Sequence, residues 1–395
     1  MLRAYLDHNA TSPMRPDVRE AVVAAWDESG NPSSVHKEGR QARALIEKAR
    51  ESVAAFVGGD ARRVIFTSGA SEANMLALTP SMKIAYEPVV CSHLYPSAIE
   101  HPSVLSGGRF PAGVRTEIAV TRQGTVDLDA LASVLEAHDH GAGRPMIAVM
   151  AVNSETGVIQ PISEIGALAK KYGAFFHLDA VQAAGRIPLA INELGCSSLA
   201  LSAHKLGGPK GVGALVMTEE GTEPEPLITG GAQENRLRAG TENVAGIVGF
   251  GVACDLAKAS LSSSDGISHL AIMRDLFEQR LLEFAPDVEI FGADAPRVGN
   301  CCQFSIPGLK GETVLIQLDL KGIAVSSGSA CSSGKVSASH VLLAMGYDAS
   351  IAGGAIRMSL GWNSKETEIY ALLEALEQIC VKNSKNKQKG IVMAQ

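Results

Sequence analysis

The chain has 395 residues, 46% hydrophobic and 19% charged, and 35 Lys and Arg against 42 Asp and Glu leave a formal net charge of −7. This is the balance of a globular protein long enough for more than one hydrophobic core, and its acidity argues against nucleic acid as main partner, because phosphate binding draws on clustered cations. No run approaches the roughly 18 unbroken apolar residues of a membrane span, and the opening Met1-Leu2-Arg3-Ala4-Tyr5-Leu6-Asp7-His8 lacks the apolar segment of a secretory signal, so a cytoplasmic protein without a membrane partner is expected.

The spacing of Leu45, Ile46, Ala49, Val53, Phe56 and Val57 predicts a helix over about 38–57, stopped by Gly58-Gly59. A short apolar strand, 64–66, runs into Thr67-Ser68-Gly69-Ala70-Ser71-Glu72 and a second helix that Pro80 cuts short; Pro96 falls in the strand before His101. An apolar strand over 146–152 ends at Asn153, a helix follows over 163–171, and a strand over 174–178 ends at Asp179. The strand 198–202 ends at His204-Lys205, with 212–217 as its hairpin partner. Continuous apolar strands separated by helices indicate an α/β protein with a mostly parallel sheet buried on both faces.

Beyond a helical, polar stretch around 250–285 the pattern changes. Short strands at 288–291, 301–306, 323–326 and 355–360 alternate with helices at 311–320, 339–345 and 365–381, as in a small α+β domain. The expected division is a large domain over 15–258 and a small one from 1–14 and 259–395. The basic run Lys382 to Lys389 reads as a solvated, disordered end.

Ligands of open parallel sheets bind outside the carboxyl ends of the strands. Four such ends carry polar residues: Ser68-Gly69-Ala70-Ser71, Asn153, Asp179-Ala180-Val181-Gln182 and Ser202-Ala203-His204-Lys205. The first opens a helix and offers N–H groups to an anion, although an ordinary capped turn reads the same way. It is neither a dinucleotide fingerprint nor an ATPase phosphate loop. Lys205, before a glycine-rich turn, can be desolvated into a nucleophilic amine, and Asp179 can pair with a protonated ring nitrogen. A lysine with such an acidic partner is the binding pattern of pyridoxal 5'-phosphate. Singly, Lys205 reads equally as a surface lysine, Asp179 as a helix cap and His177 as a satisfied semi-buried histidine; in this order along successive strand ends they point to one site.

Seven cysteines, at 91, 196, 254, 301, 302, 331 and 380, contain no Cys-x-x-Cys pair, which excludes a standard zinc or iron-sulfur ligand set and speaks against a disulfide framework. Six lie in or beside apolar strands and helices and read as packing residues, with one of Cys301-Cys302 expected to be exposed because neighbours in a strand face opposite ways. Cys331 stands apart, in a run of Ser, Gly and Ala over about 326–337 that reads as a mobile loop.

Taken together, Tyr5-Leu6-Asp7-His8-Asn9-Ala10-Thr11, Gly30-Asn31-Pro32-Ser33-Ser34-Val35-His36, Ile99-Glu100-His101-Pro102-Ser103-Val104, His177-Leu178-Asp179-Ala180-Val181-Gln182, Ser202-Ala203-His204-Lys205, Arg238-Ala239-Gly240-Thr241-Glu242-Asn243 and Ser326-Ser327-Gly328-Ser329-Ala330-Cys331 resemble the cysteine desulfurases of the NifS/IscS type. These belong to the class V aminotransferase family, with the pyridoxal-phosphate-dependent transferase fold type I. The resemblance runs from residue 5 to about 375. It implies that Lys205 is the Schiff-base lysine, that Asp179 holds the ring nitrogen protonated, and that Gln182 reaches the ring hydroxyl. Ala70, Ser71, Ser202 and His204 would bind the phosphate, joined by Thr241 from the neighbouring subunit of a homodimer with shared active sites. His101 would stack on the ring and move protons, Asn153 would position cofactor and substrate, and Asn31 and Arg357 would hold the substrate carboxylate.

Cys331 would take sulfur from L-cysteine as a persulfide, leaving alanine, and pass it to an acceptor, with an iron-sulfur scaffold protein as the natural partner. A selenocysteine lyase or a transaminase is the alternative within the same chemistry, and an inactive scaffold of a sulfur-transfer complex the alternative outside it. The chain departs from the family pattern at Ser71 (usually Thr), at Ser154 (usually Asn) and at Asn235-Arg236 (usually within Glu-Arg-Gly). Pro80 and Pro96 suggest a different build over 76–98.

Overall fold

A computed structural model describes residues 3–263, 267–327 and 338–393, with side chains through 383. In chain order the strands are β1 (Ala4–Tyr5), β2 (Val64–Thr67), β3 (Ser81–Ile84), β4 (Glu87–Pro96), β5 (Arg144–Met150), β6 (Phe175–Asp179), β7 (Ser198–Ser202), β8 (Gly213–Met217), β9 (Glu223–Pro224), β10 (Glu289–Ile290), β11 (Cys301–Ser305), β12 (Ile323–Ala324) and β13 (Ile356–Ser359).

Eight strands form the large sheet, in the order β2-β8-β7-β6-β5-β4-β3-β9. The centre, β7-β6-β5-β4, is parallel. On one side β8 runs against both β7 and β2, and on the other β3 runs against both β4 and β9, so six of the eight strands point one way. Period-2 alternation explains why the central strands read as unbroken apolar runs. Ile147, Val149, Phe176, Leu178, Leu199 and Leu201 face a core shared with helices Pro16–Trp26, Lys37–Val57, Ile162–Lys171 and Val244–Ser262. Met146, Ala148, Phe175 and Ala200 face the opposite core, under helix Ala70–Ala77. His177 and Asp179 share that second face by the same alternation. The predicted helix ends where expected, with Gly58 in the left-handed conformation at φ 67° that a side chain disfavours.

Residues 76–98 build an antiparallel hairpin, β3-β4, turned by Ala85 and Tyr86 at φ 50° and 68°. Both prolines sit where they cost no ladder bond in a strand interior: Pro80 just before β3 and Pro96 as the last residue of β4.

Another core draws on Ala4, Leu6 and apolar residues from Leu270 to Ile379. It packs β10-β11-β13 and the parallel pair β1-β12 against helices Ser268–Phe284, Gly311–Leu320 and Glu366–Met393. The 323–326 segment therefore pairs with the N-terminal strand, while Ser326 only bridges Arg357. Helix Glu366–Met393 continues through the basic run expected to be a disordered end; its lysines and glutamines are good helix formers and extend the preceding turns. Cys301 and Cys302 are both fully buried, which corrects the expectation of one exposed thiol. They do face opposite ways, but both faces of β11 are covered: Cys301 joins the core under the large sheet and Cys302 the other.

Candidate active site

A cavity of about 610 Å³ opens at the carboxyl ends of β5, β6 and β7, beside the start of helix Ala70–Ala77. Ala70, Ser71, His101, Asp179, Gln182, Ser202, His204, Lys205 and Arg357, all anticipated from sequence, line it together. The strand-to-helix turn fits closely against β8: a Cβ on Gly213 would lie 2.7 Å from the Gly69 carbonyl carbon and 2.6 Å from the Leu201 oxygen. Helix N–H groups there have no intrahelical partner and suit an anion.

Lys205 ends the short turn Ala203–Lys205 that follows β7. Its Nζ donates to the Asn9 and Ala10 carbonyl oxygens at 2.5 and 2.9 Å, so the N-terminal segment comes up against the amine. Asp179, 6% exposed, accepts the Val181 N–H on Oδ1 at 3.0 Å and the Asn74 amide on Oδ2 at 2.9 Å. Gln182 donates from Nε2 to the Asn9 oxygen at 3.0 Å, while its Oε1 accepts from the Arg186 guanidinium. His204 shares a 3.1 Å contact between Nδ1 and the Thr11 hydroxyl. Burial first, then Lys205 and Lys210, push its pKa down to about 4, so its ring is neutral at neutral pH. His101 is shifted the same way, by burial and then by Lys205 and His340, with Asp179 opposing.

Arg357, on β13, brings the other core to the cavity. Its Nη2 pairs with Asp7 Oδ1 at 2.7 Å and its Nη1 donates to the Ser154 oxygen at 3.0 Å. The backbone bridge to Ser326 ties this strand to the stretch that leads toward Cys331 in the sequence.

Three expected residues do not line the cavity of their own chain. Asn153 is fully buried, and both ends of its amide are taken up by the turn: Oδ1 accepts the Glu155 and Thr156 N–H groups and Nδ2 donates to the Ile99 oxygen. The neighbouring Ser154 reaches the cavity in its place. Asn31 is exposed, with Oδ1 accepting the Ser33 N–H, and Thr241 is exposed in the loop before helix Val244–Ser262. Cys331 lies outside the described residues. Of the six other thiols, burial raises Cys91 and Cys196 to about 12, Cys301 to about 11, Cys254 and Cys302 well above the ordinary value, and Cys380 more modestly. They remain protonated and unreactive near neutrality.

Sequence reading missed Asn9, Thr11, Asn74, Ser103 and Lys210 as cavity residues. Asn74 carried a usable signal: it stands three residues after Ser71 in the same helix and therefore on the same face.

The donor set suits pyridoxal phosphate. A helix start with hydroxyls and a neutral imidazole matches a phosphate, a buried carboxylate matches a pyridinium nitrogen, and an amine matches an aldehyde. The class V aminotransferase family model matches residues 4–372. The cysteine desulfurase IscS of Dictyoglomus turgidum is 41% identical over 96% of this chain and 94% of its own. This chain belongs to the class V aminotransferases, among the cysteine desulfurases. The IscS-like cysteine desulfurase of Mycobacterium tuberculosis is 38% identical over 94% of this chain and 95% of its own. The solved NifS-like protein of Rickettsia africae superposes with a TM-score of 0.84 at 34% identity, over 96% of this chain and 99% of that one. The family's fold and the enzyme class expected from the motifs hold for this chain.

Proposed function

We propose that this enzyme, working in the cytoplasm with pyridoxal phosphate, takes sulfur from L-cysteine, releases L-alanine and loads the sulfur on Cys331 as a persulfide. The convergence of Lys205, Asp179, His101 and Arg357 on one cavity carries the reading. A structural relative described as a complex with cysteine, at a TM-score of 0.73 and 29% identity over 92% of this chain, supports that substrate.

Pyridoxal phosphate, when bound, supplies an electron sink beside the substrate's α-carbon. Lys205 Nζ would hold the cofactor aldehyde until the amine of cysteine displaces it and, as the free amine so released, would take the substrate's α-proton. Asp179 would keep the ring nitrogen protonated, Gln182 would serve the ring hydroxyl, and Ala70, Ser71, Ser202 and His204 would hold the phosphate. Arg357 binds the substrate carboxylate through its planar guanidinium, for which Asp7 is the resident stand-in. The Cys331 thiolate would form an S–S bond to the substrate sulfur as the Cβ–S bond breaks with its electron pair left on carbon, and one proton delivered to Cβ and one to Cα, with His101 moving protons, would complete alanine. The persulfide then passes to a sulfur-accepting or scaffold protein of iron-sulfur assembly. Asn31 at the substrate carboxylate, and Thr241 at the neighbouring subunit's phosphate, belong to a homodimer with shared sites.

Alanine and sulfide production from cysteine plus reductant, in wild type, Lys205→Ala and Cys331→Ala, tests the scheme. Lys205→Ala should lose both turnover and visible cofactor absorbance, and Cys331→Ala should keep the absorbance and lose turnover. Sulfur release by Cys331→Ala at the wild-type rate overturns it, and amino transfer surviving in that variant selects a transaminase instead.

A further inference from the structure

Asn74 sits fully buried on the inner face of helix Ala70–Ala77, between the two side chains expected to meet the cofactor ring. Its Nδ2 donates to Asp179 Oδ2 at 2.9 Å and to Ser103 Oγ at 3.0 Å, and its Oδ1 faces His177 Nε2 at 2.9 Å. Beyond His177, Nδ1 meets Ser198 Oγ at 2.8 Å. Beyond Ser103, Oγ meets His101 Nδ1 at 2.8 Å, and the Ser103 backbone N–H donates to the same nitrogen at 3.1 Å.

Donor and acceptor rules allow one consistent assignment. An ionised carboxylate only accepts, so the NH₂ of Asn74 must face Asp179 and its oxygen must face His177. His177 then carries its proton on Nε2 and accepts the Ser198 hydroxyl proton on Nδ1. Burial, which pushes the His177 pKa down to about 3, keeps this ring neutral. On the other arm Ser103 Oγ accepts from Asn74, so its own proton is available to His101 Nδ1. That nitrogen, receiving two donors, carries no proton, and the neutral His101 ring holds its proton on Nε2.

We propose that Asn74 is a positioning residue that joins Asp179 and His101 in one hydrogen-bond system, fixing the orientation of the carboxylate and the Nε2–H tautomer of the ring. The consequence is directional: His101 meets the cavity ligand as a hydrogen-bond donor, while Asp179 turns a prepared acceptor toward the ring nitrogen. His177 and Ser198, remote from the ligand, lock the Asn74 amide against rotation.

The cofactor part of this inference rests on the proposed function; the tautomer part does not. Long-range ¹H–¹⁵N spectra of histidine-labelled holoenzyme, with His101→Gln to assign the signals, should show the His101 proton on Nε2. A proton on Nδ1 in the wild type overturns the proposal, whatever the turnover. Asn74→Ala and Ser103→Ala should each lower the share of the Nε2–H tautomer, because the Ser103 backbone N–H is then the remaining constraint on Nδ1. Asn74→Ala alone should also weaken pyridoxal phosphate binding about tenfold, the order of one lost hydrogen bond to an ionised group, because Asn74, unlike Ser103, donates to Asp179. Ser103→Ala should stay within about twofold. Unchanged tautomer and affinity in Asn74→Ala, with only a lower thermal midpoint, would reduce the residue to packing and defeat the idea. Should Asn74→Ala not fold, Asn74→Ser, which keeps a small polar side chain without the amide that spans Asp179 and Ser103, gives the same two readouts.

Discussion

Glu100 shows how far the neighbourhood of a residue governs its chemistry. The side chain is fully buried, Oε1 accepts the Met150 N–H at 2.7 Å, and Oε2 has no hydrogen-bond partner among the described residues. Burial, reinforced by Asp179, raises its pKa well above the carboxylate range and so favours its neutral form. Between the ordinary carboxylate range and that raised value, the folded chain holds a proton that the unfolded chain has released, and stability falls as pH rises through this window. Glu100→Gln is neutral at every pH. Its stability relative to wild type should therefore improve as pH rises above the ordinary carboxylate range in urea titrations, and a flat difference would show that Glu100 titrates as an ordinary carboxylate in the fold. The His101 beside it was readable from its motif. The state of Glu100 was not, because nothing local to Ile99-Glu100-His101 says that Met150 and Asp179 will enclose it.

At the scale of elements, the segment Gln233–Arg236 stands out. Glu234, Asn235 and Arg236 all lie in the left-handed region, at φ 46°, 57° and 69°, where asparagine is tolerated but glutamate and arginine are strained. The sequence departs from its family's Glu-Arg-Gly here, and the fold tolerates the departure because Glu234 is over-determined. Its carboxylate takes a bidentate pair from Arg50 at 2.7 and 2.9 Å and the Phe66 N–H at 2.9 Å. The Arg50 guanidinium also lies 4.8 Å over the Phe66 ring. This clamp fastens helix Lys37–Val57, β2 and the segment leading to Thr241. Breaking one side of a buried ion pair strands the other, so Glu234→Gln should cost about 3 kcal/mol of stability in urea unfolding. An effect below about 1 kcal/mol would mean that the clamp is not needed to hold the strained turn.

For the whole molecule, the cavity is assembled from two parts of the fold: β5, β6 and β7 of the large sheet present one wall, while Arg357 on β13 and the segment Asn9–Thr11 arrive from the other side. Helix Val244–Ser262 is long and apolar enough to cross a membrane, but half of its apolar window is buried inside the protein, where it packs on helices Pro16–Trp26 and Lys37–Val57. Apolar residues all round such a helix suit a core position. Thr241, just before it, is exposed in the single chain. In the proposed dimer it meets the neighbour's phosphate, so the enzyme should elute at the mass of two chains, and Thr241→Val should weaken pyridoxal phosphate binding several-fold without changing that mass. A monomeric elution with full cofactor affinity would remove Thr241 from the site.

The sequence by itself determined most of the central strands and their flanking helices, the family and nine of the cavity residues, because each depends on local order. Apolar periodicity sets strands and helices, and polar strand ends in a parallel sheet must share one edge. Tertiary structure alone decided the rest. Both faces of β11 are covered, so Cys301 and Cys302 are equally inert. Asn153 gives its amide to a turn, and Asp7 reaches Arg357 across 350 positions. Asn74 meets His177 and Asp179 only when helix Ala70–Ala77 lies on their face of the sheet. Protonation, tautomer and orientation are set by groups distant in the chain and adjacent in space, and linear spacing carries no record of those encounters.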